Sequence, residues 1–356
     1  MLKIEDYPLS RVPQDKRVSF LSVAVVHMGV LTALDQFMLG AVLGHSMSLI
    51  DAFLAILAGS VIFGIVTYGL GLAGMREGIS GSLLARWCGF GRIGSVLIGV
   101  VVAVSLLGWF GIQNAIFARS LTFALQDKIS FAWAATLTGV FLTIIVAFGF
   151  KALRFTARIA VPLFILLVAF ITVSTLSGVD LRQIMGMLPA DESVTLSAGI
   201  TMVVGGAIVA SLITPDLTRY SKNGKQVLGI TLLTIIAGEF IVNGLAILIA
   251  KILGSADVVT IMSQTAGGIG LLGVVFPPII SIMLVDYYLL RSHRKVLDDS
   301  RKIGTLPVET PVIGWSAIIA SIISSIIGLS TSWGVPTINS LISAGIIYWL
   351  VKKSSE

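Results

Sequence analysis

Long apolar stretches alternate with short polar segments along the whole chain. Ten of them approach the length of about 20 residues that a helix needs to cross a bilayer core. They cover residues 20–44, 49–74, 93–117, 131–149, 159–178, 195–214, 227–250, 267–290, 312–329 and 335–351. A membrane β-barrel would instead show alternating strands of about ten residues. The pattern therefore predicts an all-α polytopic membrane protein whose spans form one domain, residues 20–351.

The composition supports this class and argues against several others. Of the 356 residues, 56% are hydrophobic and 12% are charged, which is far from the composition of a soluble globular protein. Cys88 is the single cysteine, and the three histidines are too scattered to suggest a metal site, so we expect no disulfide, metal or cofactor. Residues 1–19 are polar and lack the apolar core of a signal peptide, so we expect no cleaved leader.

The net charge of +6 raises the question of nucleic-acid binding, and the placement of the basic residues argues against it. Twenty of the 24 lysines and arginines fall in the segments on one side of the predicted spans. By the positive-inside rule that side is cytoplasmic. We therefore expect a protein of the cell membrane with both termini, residues 1–19 and 352–356, in the cytoplasm, and with lipid rather than nucleic acid as its surroundings.

The first span carries polar residues at the predicted depth of the bilayer centre. Asp35 and Gln36 lie there, and Gly40 and Gly44 follow. A carboxylate facing lipid costs about 3 kcal/mol or more, so Asp35 must face a polar cavity, a cation or another helix. A protonated Asp35 bonded inside the bundle is the alternative. We predict a helix break from Asp35 to Gly40.

The sixth span contains a glycine pair at a corresponding position. Gly205 and Gly206 weaken the helix there, although a glycine pair also serves as a packing surface between helices. Spans 1 and 6 run in opposite directions in the predicted topology. Two interrupted helices in opposite orientation are typical of inverted-repeat transporters with a site at mid-membrane. We predict a second break from Gly205 to Ala207, facing the first.

The third span offers a side-chain pair suited to a planar ring. Trp109 and Gln113 are four residues apart and share one helix face. An indole provides a stacking surface, and the amide provides both a donor and an acceptor for the edge of a heterocycle. A tryptophan in a membrane helix is also commonly a packing residue or an interfacial anchor. Trp109 and Gln113 are therefore candidate substrate-binding residues.

Two further polar pairs have both functional and structural interpretations. Glu239 and Asn243, four apart in span 7, form either a proton relay or a hydrogen bond between helices, and we favour the second. Asp216 and Arg219, at the cytoplasmic end of span 6, form either a gate ion pair or a solvated pair worth less than about 1 kcal/mol. Asp35 and Glu239 together leave a route for proton coupling open.

Several motifs in order along the chain resemble the nucleobase:cation symporter 1 family, the purine/cytosine permeases. The resemblance runs from about residue 5 to 350. The matching motifs are LGAVLG at 39–44, SLLARWCGFGRIGS at 82–95, GWFGIQ at 108–113, VVGGAIVASLITPDLTRYSKNGK at 203–225 and FPPIISIMLVDYYLLR at 276–291.

The resemblance implies a LeuT-like fold of two inverted repeats. It implies a first repeat at about 20–178, a second at about 195–290 and two extra helices at about 312–351. It also implies that broken helices 1 and 6 and the third helix line the substrate pocket. In this chain those positions are Asp35 and Gln36, Trp109 and Gln113, and Gly205, Gly206 and Ala207.

The chain departs from the family between Ser255 and Gly270. The family has twelve spans, and this segment leaves no room for family helices 8 and 9, so we expect an incomplete second repeat. Helix 8 normally supplies half of the sodium site, so the resemblance leaves the coupling cation, sodium or proton, open. Loss of two helices preserves the orientation of the spans that follow.

The sequence supports two functions of different classes. The first is a secondary active transporter for a nucleobase or related heterocycle, such as cytosine, a purine, hydroxymethylpyrimidine or allantoin, working by cation symport and alternating access. The second is a transport-inactive shortened paralogue or a membrane binding or assembly subunit, for which a homodimer would cover the open flank. An enzyme is not expected, because the chain shows no catalytic constellation.

Overall fold

The computed structural model describes residues 7–147, 150–177, 179–189, 193–254, 273–308 and 311–354, and within these ranges the regular structure is helical. A short 3₁₀ turn at Gln14–Lys16 precedes the first helix. The helices are α1 Phe20–Leu31, α2 Leu34–Ser46, α3 Leu49–Glu77, α4 Gly81–Ala85, α5 Gly91–Ala124, α6 Phe131–Ala147, α7 Phe150–Leu176, α8 Leu181–Gly186, α9 Leu196–Thr218, α10 Gly224–Leu253, α11 Gly273–Leu290, α12 Arg294–Lys302, α13 Trp315–Ser330 and α14 Pro336–Lys353.

The described helices confirm a multi-pass helical membrane protein. Six are long and apolar enough to cross a bilayer, and a seventh span results if α1 and α2 are counted together. Helices α6 and α13 are apolar but shorter. The first predicted span corresponds to α1 and α2 together, and each of the other nine overlaps one helix, although residues 148–149, 178 and 267–272 of those spans lie outside the described residues.

The first span is broken, but the predicted position of the break was wrong. Helices α1 and α2 meet at an angle of 46°, and the residues between them are Thr32 and Ala33. Asp35 to Gly40 are helical, and Asp35 lies in the first turn of α2. A carboxylate is favourable there because the amino end of a helix carries partial positive charge. The Thr32 hydroxyl donates to the carbonyl oxygen of Met28 at 2.9 Å, which satisfies a carbonyl at the end of α1.

The second predicted break is also wrong, because α9 is continuous from Leu196 to Thr218. The glycines of α9 instead allow close packing. A Cβ built on Gly206 would lie 3.0 Å from the Leu39 side chain and 3.4 Å from the Gln36 amide nitrogen of α2. Tertiary contacts with α2 therefore offset the weak helix propensity of these glycines.

Helices α2, α3, α9 and α10 form the centre of the bundle. Gly40 and Gly44 of α2 face the backbone of α10, where any added Cβ would collide with Asn243 and Ile247. Glycines four residues apart allow two helix backbones to approach closely. Within α10, residues Ile235–Asn243 are π-helical. Such segments recur at functional sites.

The chain before α1 is fixed to the end of the bundle where α3 ends. The Arg11 guanidinium forms a 2.9 Å ion pair with Glu77, and the Arg301 guanidinium of α12 reaches the other Glu77 oxygen at 2.8 Å. The Tyr287 hydroxyl donates to Glu77 as well, at 2.7 Å. Arg17 donates to the carbonyl oxygen of Ser221 after α9. Burial lowers the pKa of Arg17 from its ordinary value.

Candidate functional site

A cavity of about 640 Å³ lies beside the bend between α1 and α2. Its walls come from α1, α5, α7 and α9 and are mainly apolar. The polar residues on its surface are Thr32, Gln113 and Thr156. Thr32 and Ala33, the two residues of the bend, both contribute to the lining. The cavity therefore joins the break in the first span to Gln113 of the third span.

Buried polar side chains cluster immediately after the bend. Gln36 donates to the carbonyl oxygen of Gly206 at 3.3 Å and accepts from the Asn243 amide at 3.1 Å. The Asn243 amide also donates to a Glu239 carboxylate oxygen at 2.7 Å. Asp35 is 6% exposed, and the other three side chains of the cluster are at most 1% exposed. The cluster thus links α2, α9 and α10 in the buried interior of the bundle.

Three oxygen atoms in this cluster have no hydrogen-bond partner within the described part of the chain. They are Oδ1 of Asp35, Oε1 of Glu239 and Oδ1 of Asn243. Leaving such atoms unpaired costs roughly 1–3 kcal/mol for each. Polar atoms retained at that cost are frequently functional, so these oxygens mark the cluster as a candidate for binding a solute or an ion.

Trp109 and Gln113 approach this region from α5. Trp109 is partly buried and packs on the apolar cluster that includes Met38 and Leu39 of α2. Gln113, one turn further along, lies on the cavity surface. Trp109 and Gln113 therefore both lie on the side of α5 that faces the first span, and their role in binding stays a prediction.

The α9 residues of the predicted site divide between two surroundings. Gly206 contacts α2 as described, whereas Ala207 is fully buried in a small apolar cluster with Leu31 and Phe63. Gly205 faces α11, since a Cβ built on Gly273 would lie 3.2 Å from the Gly205 backbone. Gly206 is thus the α9 residue that joins the polar cluster.

Asp216 and Arg219 lie at the far end of α9, where each also binds backbone groups. Asp216 accepts from the backbone N–H of Gly81 at 2.9 Å. Arg219 donates to the backbone carbonyl oxygens of Asp216, at 3.0 Å, and Tyr7, at 3.1 Å. These contacts tie α4 and the N-terminal segment to α9. The assignment of this pair as a gate stays a prediction.

Two polar groups of structural importance were not among the predicted site residues. His27 of α1 is buried, and its two ring nitrogens lie 2.8 Å from the hydroxyls of Thr214 and Thr234. Glu77 binds the arginines described above. A histidine in an apolar span was a visible signal for the first. The partners of Glu77 are about 66 and 224 residues away in the chain, so no local pattern reveals them.

Residues 11–268 match the family described as permeases for cytosine/purines, uracil, thiamine and allantoin. Cytosine permeases of Escherichia coli O157:H7 and Escherichia coli strain K12 are each 31% identical over 255 residues, which is 70% of this chain and 59% of theirs. The chain therefore spans about three-fifths of the length of these relatives. The relatives are permeases rather than enzymes, as predicted.

Two solved structures of Mhp1, a nucleobase-cation-symport-1 family transporter, share the fold. The closed conformation with bromovinylhydantoin bound has a TM-score of 0.71 at 18% identity, covering 99% of this chain and 97% of that one. The inward-facing conformation has a TM-score of 0.71 at 17% identity, covering 98% and 95%. This likeness confirms the predicted LeuT-like fold. The predicted loss of helices 8 and 9 falls at Ser255 to Gly270, outside the described residues, and stays a prediction. The chain belongs to the nucleobase:cation symporter 1 family of cytosine, purine and allantoin permeases.

Proposed function

We propose that this chain is a secondary active transporter of a nucleobase or related heterocycle, working by cation symport and alternating access. The observation that carries the proposal is the buried polar cluster of Asp35, Gln36, Glu239 and Asn243 beside a bent span and an open cavity. Ionisable groups at bilayer depth are costly and are kept where solutes or ions pass. A broken span at the same depth supplies backbone groups for binding.

The candidate ligand groups suit a small planar ring. Trp109 provides a face for stacking, and Gln113 provides a donor and an acceptor on the cavity surface. Cytosine, purines, hydroxymethylpyrimidine and allantoin all present hydrogen-bond donors beside acceptors, either ring nitrogens or carbonyl oxygens, at the ring edge. The Escherichia coli relatives are cytosine permeases, which makes cytosine the first solute to test.

Asp35 and Glu239 are the groups we propose for coupling to protons. Both are buried carboxyl groups, and each has an oxygen without a partner among the described residues. A carboxyl group that binds and releases a proton changes the local charge by one unit and the hydrogen bonds it makes. Sodium remains the second candidate for the coupling cation.

One observation favours the alternative function, which is a transport-inactive paralogue or a membrane binding or assembly subunit. The matched region covers only 59% of the Escherichia coli permeases. If helices 8 and 9 are absent, the polar groups of spans 1 and 6 face an open flank, which is costly at bilayer depth because lipid cannot satisfy polar groups. In this alternative a homodimer covers the flank, with both termini of each copy in the cytoplasm and the chain in the cell membrane.

Uptake by the purified chain in proteoliposomes distinguishes the two functions. The solutes are labelled cytosine, hypoxanthine, hydroxymethylpyrimidine, allantoin and hydantoin, each driven by a sodium gradient or a proton gradient. The proposal predicts gradient-dependent uptake of at least one. Trp109→Ala tests whether the third span takes part in uptake. Its matched control is Trp133→Ala, because Trp133 is 66% exposed on α6. Folded protein that takes up none of the five under either gradient favours the non-transporting alternative.

A further inference from the structure

Glu239 is connected to the carbonyl oxygen of Gly206 by two amide side chains. The Asn243 amide nitrogen lies 2.7 Å from the Glu239 carboxylate and 3.1 Å from the Gln36 oxygen. The Gln36 nitrogen lies 3.3 Å from the Gly206 oxygen. The connection crosses from α10 to α2 and then to α9, and it ends at the α9 residue that joins the candidate site.

We propose that Asn243 and Gln36 form an amide relay that transmits the protonation state of Glu239 to the carbonyl group of Gly206. Gln36 is then a positioning residue, because both ends of its amide bind protein atoms. This assignment differs from the earlier prediction that Gln36 binds substrate directly. It rests on the proposed function only in taking Gly206 as part of the solute site.

The direction of the hydrogen bonds follows from the charge on Glu239. An ionised carboxylate only accepts hydrogen bonds, so the Asn243 NH₂ group must point towards it. The second N–H of the same group then serves Gln36 Oε1. With its oxygen occupied in this way, Gln36 turns its own NH₂ group towards the Gly206 oxygen. The observed contacts have the donor and acceptor directions that this arrangement requires.

Addition of one proton to Glu239 reverses the arrangement. The new O–H group is a donor, so the favourable partner is the Asn243 oxygen, which has no partner in the described part of the chain. Once Asn243 has turned its oxygen towards Glu239, Gln36 must present its NH₂ group to that oxygen. The Gln36 oxygen would then oppose the Gly206 oxygen. Gly206 loses a donor, and its carbonyl becomes available to an N–H group of a solute.

Close packing around the relay holds its members within hydrogen-bonding distance. Gly40 fits directly against the Asn243 backbone, which holds α2 and α10 at a fixed separation. A Cβ on Gly206 would lie 3.4 Å from the Gln36 nitrogen, so α9 is equally close. Gln36, Glu239 and Asn243 are at most 1% exposed, so water does not replace the exchanged bonds.

Other titratable groups lie on the helices packed against Glu239. Asp35 of α2 acts on it electrostatically, and His27 of α1 binds Thr234 of the same helix. Within the described residues, the remaining titratable groups of α2, α3 and α7 make no hydrogen bond with the cluster: His45, Asp51, Tyr68, Arg76, Glu77, Arg154 and Arg158. Of all these titratable groups, Glu239 is the one that bonds Asn243. Substitution of Glu239 therefore distinguishes an effect of the relay from an effect of the other groups.

A mutant cycle on the full chain tests the relay without any solute. Glu239→Gln imitates the neutral carboxyl group, and Gln36→Met removes the amide at nearly constant length. Because residues in one network are coupled, the two shifts in unfolding temperature should differ from additivity by about 2 °C or more. In an Asn243→Leu background the same two shifts should add. If Asn243→Leu does not fold, Asn243→Ala serves, because the alanine side chain neither donates nor accepts a hydrogen bond.

Thr67→Val paired with Glu239→Gln is the matched control. Thr67 bonds Ser211 at 2.6 Å, outside the relay, so this pair should be additive. Additive Glu239 and Gln36 shifts in the native background would overturn the proposal. Coupling that survives removal of the Asn243 amide would also overturn the proposal, because Asn243 would then not connect Glu239 to Gln36.

Binding of labelled cytosine in acidic and in alkaline buffer gives a second readout. The relay predicts a several-fold change in affinity between the buffers, which both Glu239→Gln and Gln36→Met abolish. A pH dependence that persists in both variants contradicts the relay. If the native chain binds no cytosine, the proposed solute is wrong, and the mutant cycle still decides the relay.

Discussion

Close contact between α2 and α10 should make Gly40 intolerant of even one added methyl group. A Cβ on Gly40 would lie 2.8 Å from Asn243 Cα and 2.9 Å from the Ala246 side chain, besides colliding with the Asn243 carbonyl oxygen. Two of these atoms belong to the backbone, so the helices must separate. Gly40→Ala therefore disturbs both the packing and the polar cluster.

The magnitude follows from two opposing terms. Overpacking of a tight contact costs about 1–3 kcal/mol. Replacing glycine by alanine within a helix returns about 1 kcal/mol. No atom of another described helix lies within 4 Å of a Cβ built on Gly108 of α5, so Gly108→Ala retains the favourable term alone. The two variants should differ by about 1–3 kcal/mol, or roughly 2–10 °C in unfolding temperature.

Cys88 provides the assay. It is the single cysteine of the chain and is buried, so a thiol-reactive dye reports its exposure as the protein unfolds. Membrane proteins commonly unfold irreversibly, so variants are compared at one heating rate. Gly44→Ala, which meets the Ile247 backbone, should behave like Gly40→Ala. Equal unfolding temperatures for Gly40→Ala and Gly108→Ala would refute the described contact between α2 and α10.

The remaining predictions concern binding, coupling and the anchored N-terminal segment. Trp109→Ala should weaken cytosine binding by about 1–3 kcal/mol through lost stacking, measured by titration, whereas Trp133→Ala should bind normally. Glu239→Gln should abolish the response of uptake to a proton gradient, and an unchanged response would exclude Glu239 as the coupling group. Glu77→Gln should lower stability by about 3–5 kcal/mol because the buried Arg11 guanidinium loses the carboxylate that balances its charge, while Lys302→Ala, in an exposed pair, should cost less than about 1 kcal/mol. Similar thermal shifts in the last two variants would contradict the buried network.

The helical class and the burial of Asp35 could be predicted from the sequence because bilayer physics constrains both. A chain in lipid must satisfy its backbone internally, which leaves helices as the solution for long apolar runs. A carboxyl group at mid-span must turn inward for the same reason. The bend predicted from the sequence lies a few residues after the observed bend, because Thr32 and Ala33 give no strong local signal. Gly40 has the low helix propensity of a helix breaker, and only the packing of α10 against it explains its position.

The glycines of α9 and the partners of Glu77 show what local patterns cannot decide. Gly205 and Gly206 were equally compatible with a break and with a packing surface, and the choice depends on Leu39 of another helix. Arg11 was counted only as part of the charge asymmetry that orients the chain. The pairing of Arg11 with Glu77 depends on how the N-terminal segment folds over the bundle, and a count of charges gives no information about that.

A structure of the chain with cytosine bound would show directly whether this region is the solute site. We expect the ring to stack on the Trp109 indole, with its edge bonded to Gln113 and close to the bend at Thr32 and Ala33. Cytosine bound outside this region, with Trp109 still packed against α2 and Gln113 without contact to the ring, would contradict the account.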